Sequence, residues 1–252
     1  MLNTSFLGTE GDAPSILIVH GLFGSARNWG VIAKRLSETR HVATVDMRNH
    51  GQSFWAAPHR YPELAADLAE VIAALGGVAD VVGHSMGGKA AMMLALQHPT
   101  AVRRLIVADI APVAYDHTQQ GMIDAMRSID LSLVKTRGDA DRQLAEVLPE
   151  AGVRAFLLQS LDVKAQVWRL NLDQLEADMP AILGWPEVSG TFDGSVLMLS
   201  GGESDYVLPE HRPMIKTLFP NARFAKLPGA GHWLHADRPR EFEAACRAFL
   251  GA

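Results

Sequence analysis

Cysteine is almost missing from this 252-residue chain: Cys246 stands alone, so neither an internal disulfide nor a CxxC metal site is available. Phe242, Ala245, Phe249 and Leu250 surround it at helical spacing, which reads the thiol as core packing. A lone thiol is compatible with a reducing compartment, and the cytoplasm is the expected location. No apolar stretch approaches the roughly 20 residues of a spanning helix, so no membrane span is expected. The start, Met1-Leu2-Asn3-Thr4-Ser5, lacks a basic region leading into a long apolar run, and no signal peptide is expected. Basic runs are missing as well. With 23 Lys and Arg against 28 Asp and Glu, the net charge is −5, the wrong sign for a phosphate backbone, and nucleic acid is not an expected partner. Repeats and low-complexity tracts are also absent.

What is present is a 48% hydrophobic chain, enough to bury the core of one compact catalytic domain with room for an insertion. Short apolar runs at 15–19, 41–45, 79–82 and 104–108 read as buried strands. Helical periodicity at 29–36, 64–75 and 87–97 falls between them, the alternation of an α/β fold with a mostly parallel sheet flanked by helices. The pattern then breaks. From 113 to 187 the sequence offers no convincing strand but amphipathic stretches at 122–129, 139–148, 153–159 and 167–177, punctuated by Pro149 and Pro180. Strand signals return at 195–199 and 223–227, and a last helix is expected at 240–250. The economical division is a core of residues 1–112 and 188–252, interrupted by a helical cap at 113–187.

Gly83-His84-Ser85-Met86-Gly87 follows the strand at 79–82 and opens a helix, so G-x-S-x-G stands in the strand-turn-helix setting it needs. The demand is steric: a turn this sharp leaves no room for flanking side chains and lifts the serine hydroxyl to a helix N-terminus. Read blandly, this is a Gly-rich turn with an inert serine. Earlier, the strand at 15–19 runs into His20-Gly21-Leu22-Phe23-Gly24-Ser25. The loop and the elbow together resemble the α/β-hydrolase family, in which an HG-containing loop and the residue after the nucleophile donate backbone N–H groups to an oxyanion hole. The resemblance implies Leu22, or else Phe23, together with Met86 as those donors. Asp46-Met47-Arg48-Asn49-His50-Gly51-Gln52-Ser53 is similar to the family's D-x-R-G-H-G-x-S loop, with Asn49 in place of glycine, and reads as architectural.

A serine nucleophile needs a base, and Ala230-Gly231-His232-Trp233 follows the last expected strand, where the family carries its catalytic histidine. His232 is therefore the expected base; His235 reads as a neighbour supporting the turn, and the elbow's backbone points His84 away from the nucleophile. Two aspartates keep the order Ser, Asp, His: Asp109 and Asp205. Gly202-Glu203-Ser204-Asp205-Tyr206-Val207-Leu208-Pro209 matches a common family pattern and favours Asp205. Against that, HGLFGS, GHSMGG, DIAP, GGESDYV and AGHWLHADRP together resemble the small-esterase subfamily of YbfF and ABHD11. In that subfamily the DIAP aspartate is the acid, which shifts the preference to Asp109, with Ser204 as an auxiliary contact.

The resemblance implies short to medium acyl esters or acyl thioesters as small-molecule substrates, cleaved through an acyl-enzyme on Ser85. No metal or organic cofactor is called for. Phe23, Phe156, Trp168 and Trp185, with Leu157 and Leu172, are candidates for an acyl pocket, or else simply pack the cap onto the core. Ser85 disfavours a haloalkane dehalogenase, whose nucleophile is a carboxylate. A carbon-carbon bond hydrolase or cofactor-free haloperoxidase would use a similar triad, and a receptor-like module with vestigial hydrolysis is the alternative from a different class.

Overall fold

The computed structural model describes residues 1–251. Its strands are β1 (Thr4–Leu7), β2 (Ser15–Val19), β3 (Val42–Val45), β4 (Ala79–His84), β5 (Val102–Ala108), β6 (Leu161–Asp162), β7 (Val167–Trp168), β8 (Ser195–Gly201) and β9 (Ala222–Leu227). All but β6 and β7 join one sheet in the order β1-β3-β2-β4-β5-β8-β9, parallel throughout except for β1 on the edge. The helices are α1 (Gly30–Leu36), α2 (Tyr61–Ala74), α3 (Met86–Gln97), α4 (Gln120–Arg127), α5 (Arg137–Leu144), α6 (Ala151–Leu157), α7 (Leu172–Ala177), α8 (Met179–Leu183), α9 (Arg212–Leu218), α10 (Leu234–Asp237) and α11 (Pro239–Leu250).

The unbroken apolar run of β2 shows why the sheet is covered on both sides. Leu17 and Val19 join the core under α2 and α3, whereas Ile16 and Ile18 join the core under α1 and α11. Each such side chain contributes about 1.5–3 kcal/mol by leaving water. Cys246 is buried on α11 beside Phe242 and Leu250, as its spacing implied. Among the described residues no helix is long and apolar enough to cross a membrane.

Parallel strands bring their C-terminal ends to one edge, so the loops after β2, β4, β5, β8 and β9 open together. Between β5 and β8 the chain leaves the sheet for α4 to α8. This excursion does carry strand, contrary to the sequence reading: β6 and β7 form a small antiparallel hairpin with Leu161 opposite Trp168. The helix expected at 167–177 therefore begins only at Leu172, where the Asn171 side chain accepts the Gln174 N–H. Backbone bonds stitch the excursion to the core: Gly51 N–H to Arg169 O at 2.8 Å and Asn171 N–H to Asn49 O at 2.9 Å.

Candidate active site

Two glycines allow the elbow between β4 and α3. A Cβ on Gly83 would lie 2.4 Å from the Gly87 carbonyl oxygen, and one on Gly87 would lie 2.4 Å from that of His20. Ser85 between them adopts φ 52°, ψ −123°, a conformation that L-residues rarely take, and its N–H is fastened to Ala108 O on β5 at 3.0 Å. The result is a serine held at the start of α3.

Its hydroxyl reaches His232. Asp109 accepts from His232 Nδ1 at 2.8 Å, which fixes the tautomer and leaves Nε2 to accept from Ser85 Oγ at 3.1 Å. Asp109 is fully buried at the end of β5, and its carboxylate also accepts the Gly201 N–H at 2.9 Å and the Ser204 hydroxyl at 2.5 Å. Such charge-assisted bonds offset the burial of its charge. Asp205 lies exposed on the neighbouring loop and makes none of these contacts.

His84 lies beneath this group rather than facing the serine. Its Nε2 donates to the His232 carbonyl at 2.8 Å, and burial, with His232 and His235 nearby, holds its pKa well below the usual imidazole range. His235 stacks on Trp29 with centroids 4.1 Å apart, and burial pulls it down to about 3. Both therefore support the His232 loop as neutral rings.

Beside Ser85 the Leu22 and Met86 N–H groups have no protein partner among the described residues. The Phe23 N–H, the other expected donor, is already committed to His50 Nε2 at 3.1 Å. His50 can only accept there, because its Nδ1–H donates to Arg48 O at 2.9 Å, and burial keeps the ring neutral. Phe23 itself takes φ 61°. His50 belongs to the loop read as architectural, and the rest of that loop behaves accordingly. The Asp46 carboxylate accepts the Ala26 and Gln52 N–H groups, and Arg48 pairs with buried Asp67 at 2.6 Å. Asn49 takes φ 65°, a left-handed angle that asparagine tolerates in place of glycine.

A cavity of about 170 Å³ opens over Ser85. Its apolar wall includes Leu22, Phe23, Met86, Ile110, Met122 and Phe156, and its polar rim comprises Tyr115, His117, Gln119 and Tyr206. Of the four aromatic candidates, Phe23 and Phe156 line this cavity, and Trp168 and Trp185 do not. Trp168 on β7 donates its indole N–H to Met126 O at 2.9 Å, anchoring the hairpin to α4. Trp185 lies half-buried with its ring 6.0 Å from that of Tyr61. Leu157 is fully buried and Leu172 packs against the same core, both outside the cavity lining.

Tyr206 and Lys89 are among the cavity residues that the sequence reading did not single out. Tyr206 stacks on the His232 ring with centroids 3.9 Å apart and planes 19° from parallel. Lys89 is buried within α3, where it is the sole charge in MGGKAAMMLALQ, a signal the sequence did carry.

Comparison with known proteins agrees with this architecture. Residues 14–239 match the family model described as alpha/beta hydrolase fold. The chain is 42% identical to the sn-1-specific diacylglycerol lipase ABHD11 of Mus musculus, over 96% of this chain and 83% of that protein. It is 38% identical to Esterase YbfF of Escherichia coli strain K12, over 93% of this chain and 92% of that one. A solved structure titled Marine microorganism esterase superposes with a TM-score of 0.92 at 36% identity, covering 99% of this chain and 100% of the other. The chain belongs to the α/β-hydrolase family.

Proposed function

We propose that this ester-hydrolysing serine hydrolase works through Ser85 as nucleophile, His232 as base and Asp109 as the acid that orients it. The observation that carries the assignment is the continuous relay from Ser85 Oγ through His232 to Asp109, at 3.1 and 2.8 Å. His232 Nε2 takes the Ser85 proton as Oγ bonds to the substrate carbonyl carbon. The oxyanion that forms is met by two N–H groups free for it, that of Leu22 on the loop after β2 and that of Met86 at the start of α3. His232 then protonates the leaving group, the carbonyl re-forms, and an acyl-enzyme remains on Ser85. Water, deprotonated by the same imidazole, releases the acid and restores the serine. Asp109 stays ionised throughout and stabilises the imidazolium.

Residues 113–187 act in this reading as a helical cap that supplies Met122, Phe156, Ile182 and Leu183 to the cavity. The substrates are small acyl esters or acyl thioesters of short to medium chain, whose acyl group lies against the apolar wall. A buried, unpaired Cys246 suits a reducing cytoplasm. A panel of p-nitrophenyl esters and acyl thioesters of graded chain length, assayed beside Ser85→Ala, tests the reading. Turnover abolished by the substitution supports it; turnover that survives defeats it.

A further inference from the structure

Lys89 lies one helical turn beyond Ser85 on α3 and is 1% exposed. An ammonium has three N–H donors and no acceptor. Here all three are used on backbone carbonyls: Val113 O at 2.7 Å, Leu183 O at 2.9 Å and Gly184 O at 2.6 Å. The Tyr115 and Tyr61 rings flank it, with centroids 4.8 and 5.7 Å from Nζ. A lysine so saturated has no donor left for a substrate carboxylate or phosphate, so it is not a charge-recognition site. Burial pulls its pKa down to about 7, whereas three carbonyls aimed at the ammonium favour the protonated form.

The placement of those carbonyls is informative. Val113 begins the excursion that leaves β5, and Leu183 and Gly184 stand where α8 turns back toward β8. The two ends also meet directly, through the Tyr115 N–H and Leu183 O at 3.1 Å. Tyr115, Ile182 and Leu183 all line the cavity over Ser85. An apolar side chain of similar length would fill the same space without desolvating a charge, but it would leave the Val113 and Gly184 carbonyls without donors and Leu183 O with the Tyr115 N–H alone.

We propose that Lys89 is a positioning residue for acyl-chain selection, its ammonium clasping both ends of the 113–187 segment so that Tyr115, Ile182 and Leu183 form one rigid wall of the acyl cavity. The inference rests on the reading of Ser85 as the acyl-enzyme nucleophile. The clasp contacts neither the reacting carbonyl nor the triad, so its loss acts on the fit of the acyl chain before it acts on chemistry.

The test compares wild type with Lys89→Met and Lys89→Gln, the second keeping two donors in case the first does not fold. kcat and KM are measured on p-nitrophenyl acetate and octanoate, hydrogen exchange is followed at the Tyr115 amide, and Ser85 is titrated with a fluorophosphonate. KM for octanoate is expected to rise about fivefold or more relative to that for acetate, within the range that one or two methylenes command in a pocket, with a smaller change in kcat. Exchange at Tyr115 is expected to accelerate in both variants. An unchanged octanoate-to-acetate ratio, or unchanged exchange, in protein whose Ser85 still labels overturns the clasp. Failure of Ser85 to label in wild type overturns the nucleophile reading instead, and the exchange rate then still decides whether Lys89 joins the two ends.

Discussion

Asp109→Asn is the substitution whose consequence follows most directly from the geometry. The carboxylate accepts three hydrogen bonds: Gly201 N–H on Oδ1, and Ser204 Oγ–H and His232 Nδ1–H on Oδ2. An amide can present oxygen to only one of those sides. With its NH₂ toward His232, the imidazole must place its proton on Nε2, where it can no longer accept from Ser85. With its NH₂ toward Gly201, two donors face each other in a fully buried site, which costs about 1–3 kcal/mol of stability. The wrong tautomer in a serine triad lowers kcat by about 10⁴-fold, equivalent to about 5.5 kcal/mol in the barrier. Asp205→Asn alters an exposed carboxylate and is expected to change kcat by about threefold or less. The assay is steady-state hydrolysis of p-nitrophenyl butyrate, with thermal melting to confirm that both variants are folded. Equal losses, or a larger loss at Asp205, would refute the assignment of the acid.

Stability is expected to fall in mild acid. Burial pulls His59 and His235 down to about 3, so each is neutral in the folded protein, whereas the unfolded chain takes up protons below about pH 6.5. Their contribution is therefore complete above pH 6.5 and is lost as pH falls toward 3, about 1.4 kcal/mol for each between pH 8 and 5.5. The Tm should drop over that interval, and His235→Phe, which keeps a ring against Trp29, should flatten the profile; a level wild-type profile contradicts this. Tyr206→Ala removes the ring stacked on His232 and should lower kcat by about two- to tenfold, with Tyr206→Phe retaining most activity, since such stacking contributes about 0.5–1.5 kcal/mol. Equal behaviour of the two variants would exclude the ring as the cause. Phe156→Ala should alter the acyl-chain profile, whereas Trp168→Phe should leave it alone and cost about 1 kcal/mol through the lost bond to Met126 O; denaturant melts and the ester panel separate the two.

The parts of the fold legible in sequence are those whose signal is local. β2 is an apolar run after Ser15 because both faces of the sheet are covered; Gly83 is demanded by the Gly87 carbonyl within the same turn, and Gly87, which is pressed against the His20 carbonyl just after β2, is legible only through the motif. β1 left little trace because it is a short, half-exposed edge strand held only by β3. β6 and β7 left less, since two-residue strands have no period to detect. The same distinction runs through the site. Ser85 and His232 sit in motifs, but whether Asp109 or Asp205 faces the imidazole depends on the turn after β5, where Asp109 takes φ 53°, and composition does not encode that angle. Trp168 and Trp185 looked like pocket residues because size and apolarity are visible in sequence; the indole N–H that needs the Met126 carbonyl is a tertiary matter. Tyr206 and Lys89 went unnoticed for the complementary reason. Their partners, His232 and the carbonyls of 113, 183 and 184, are distant along the chain.

The central claim is that Ser85 is a nucleophile activated by His232. Covalent labelling of the folded protein with a fluorophosphonate, followed by peptide mapping, tests it most directly. The account predicts stoichiometric modification on the peptide carrying Ser85, lost in Ser85→Ala and slowed by orders of magnitude in His232→Ala. Modification elsewhere, or a rate at Ser85 indifferent to His232, would contradict it.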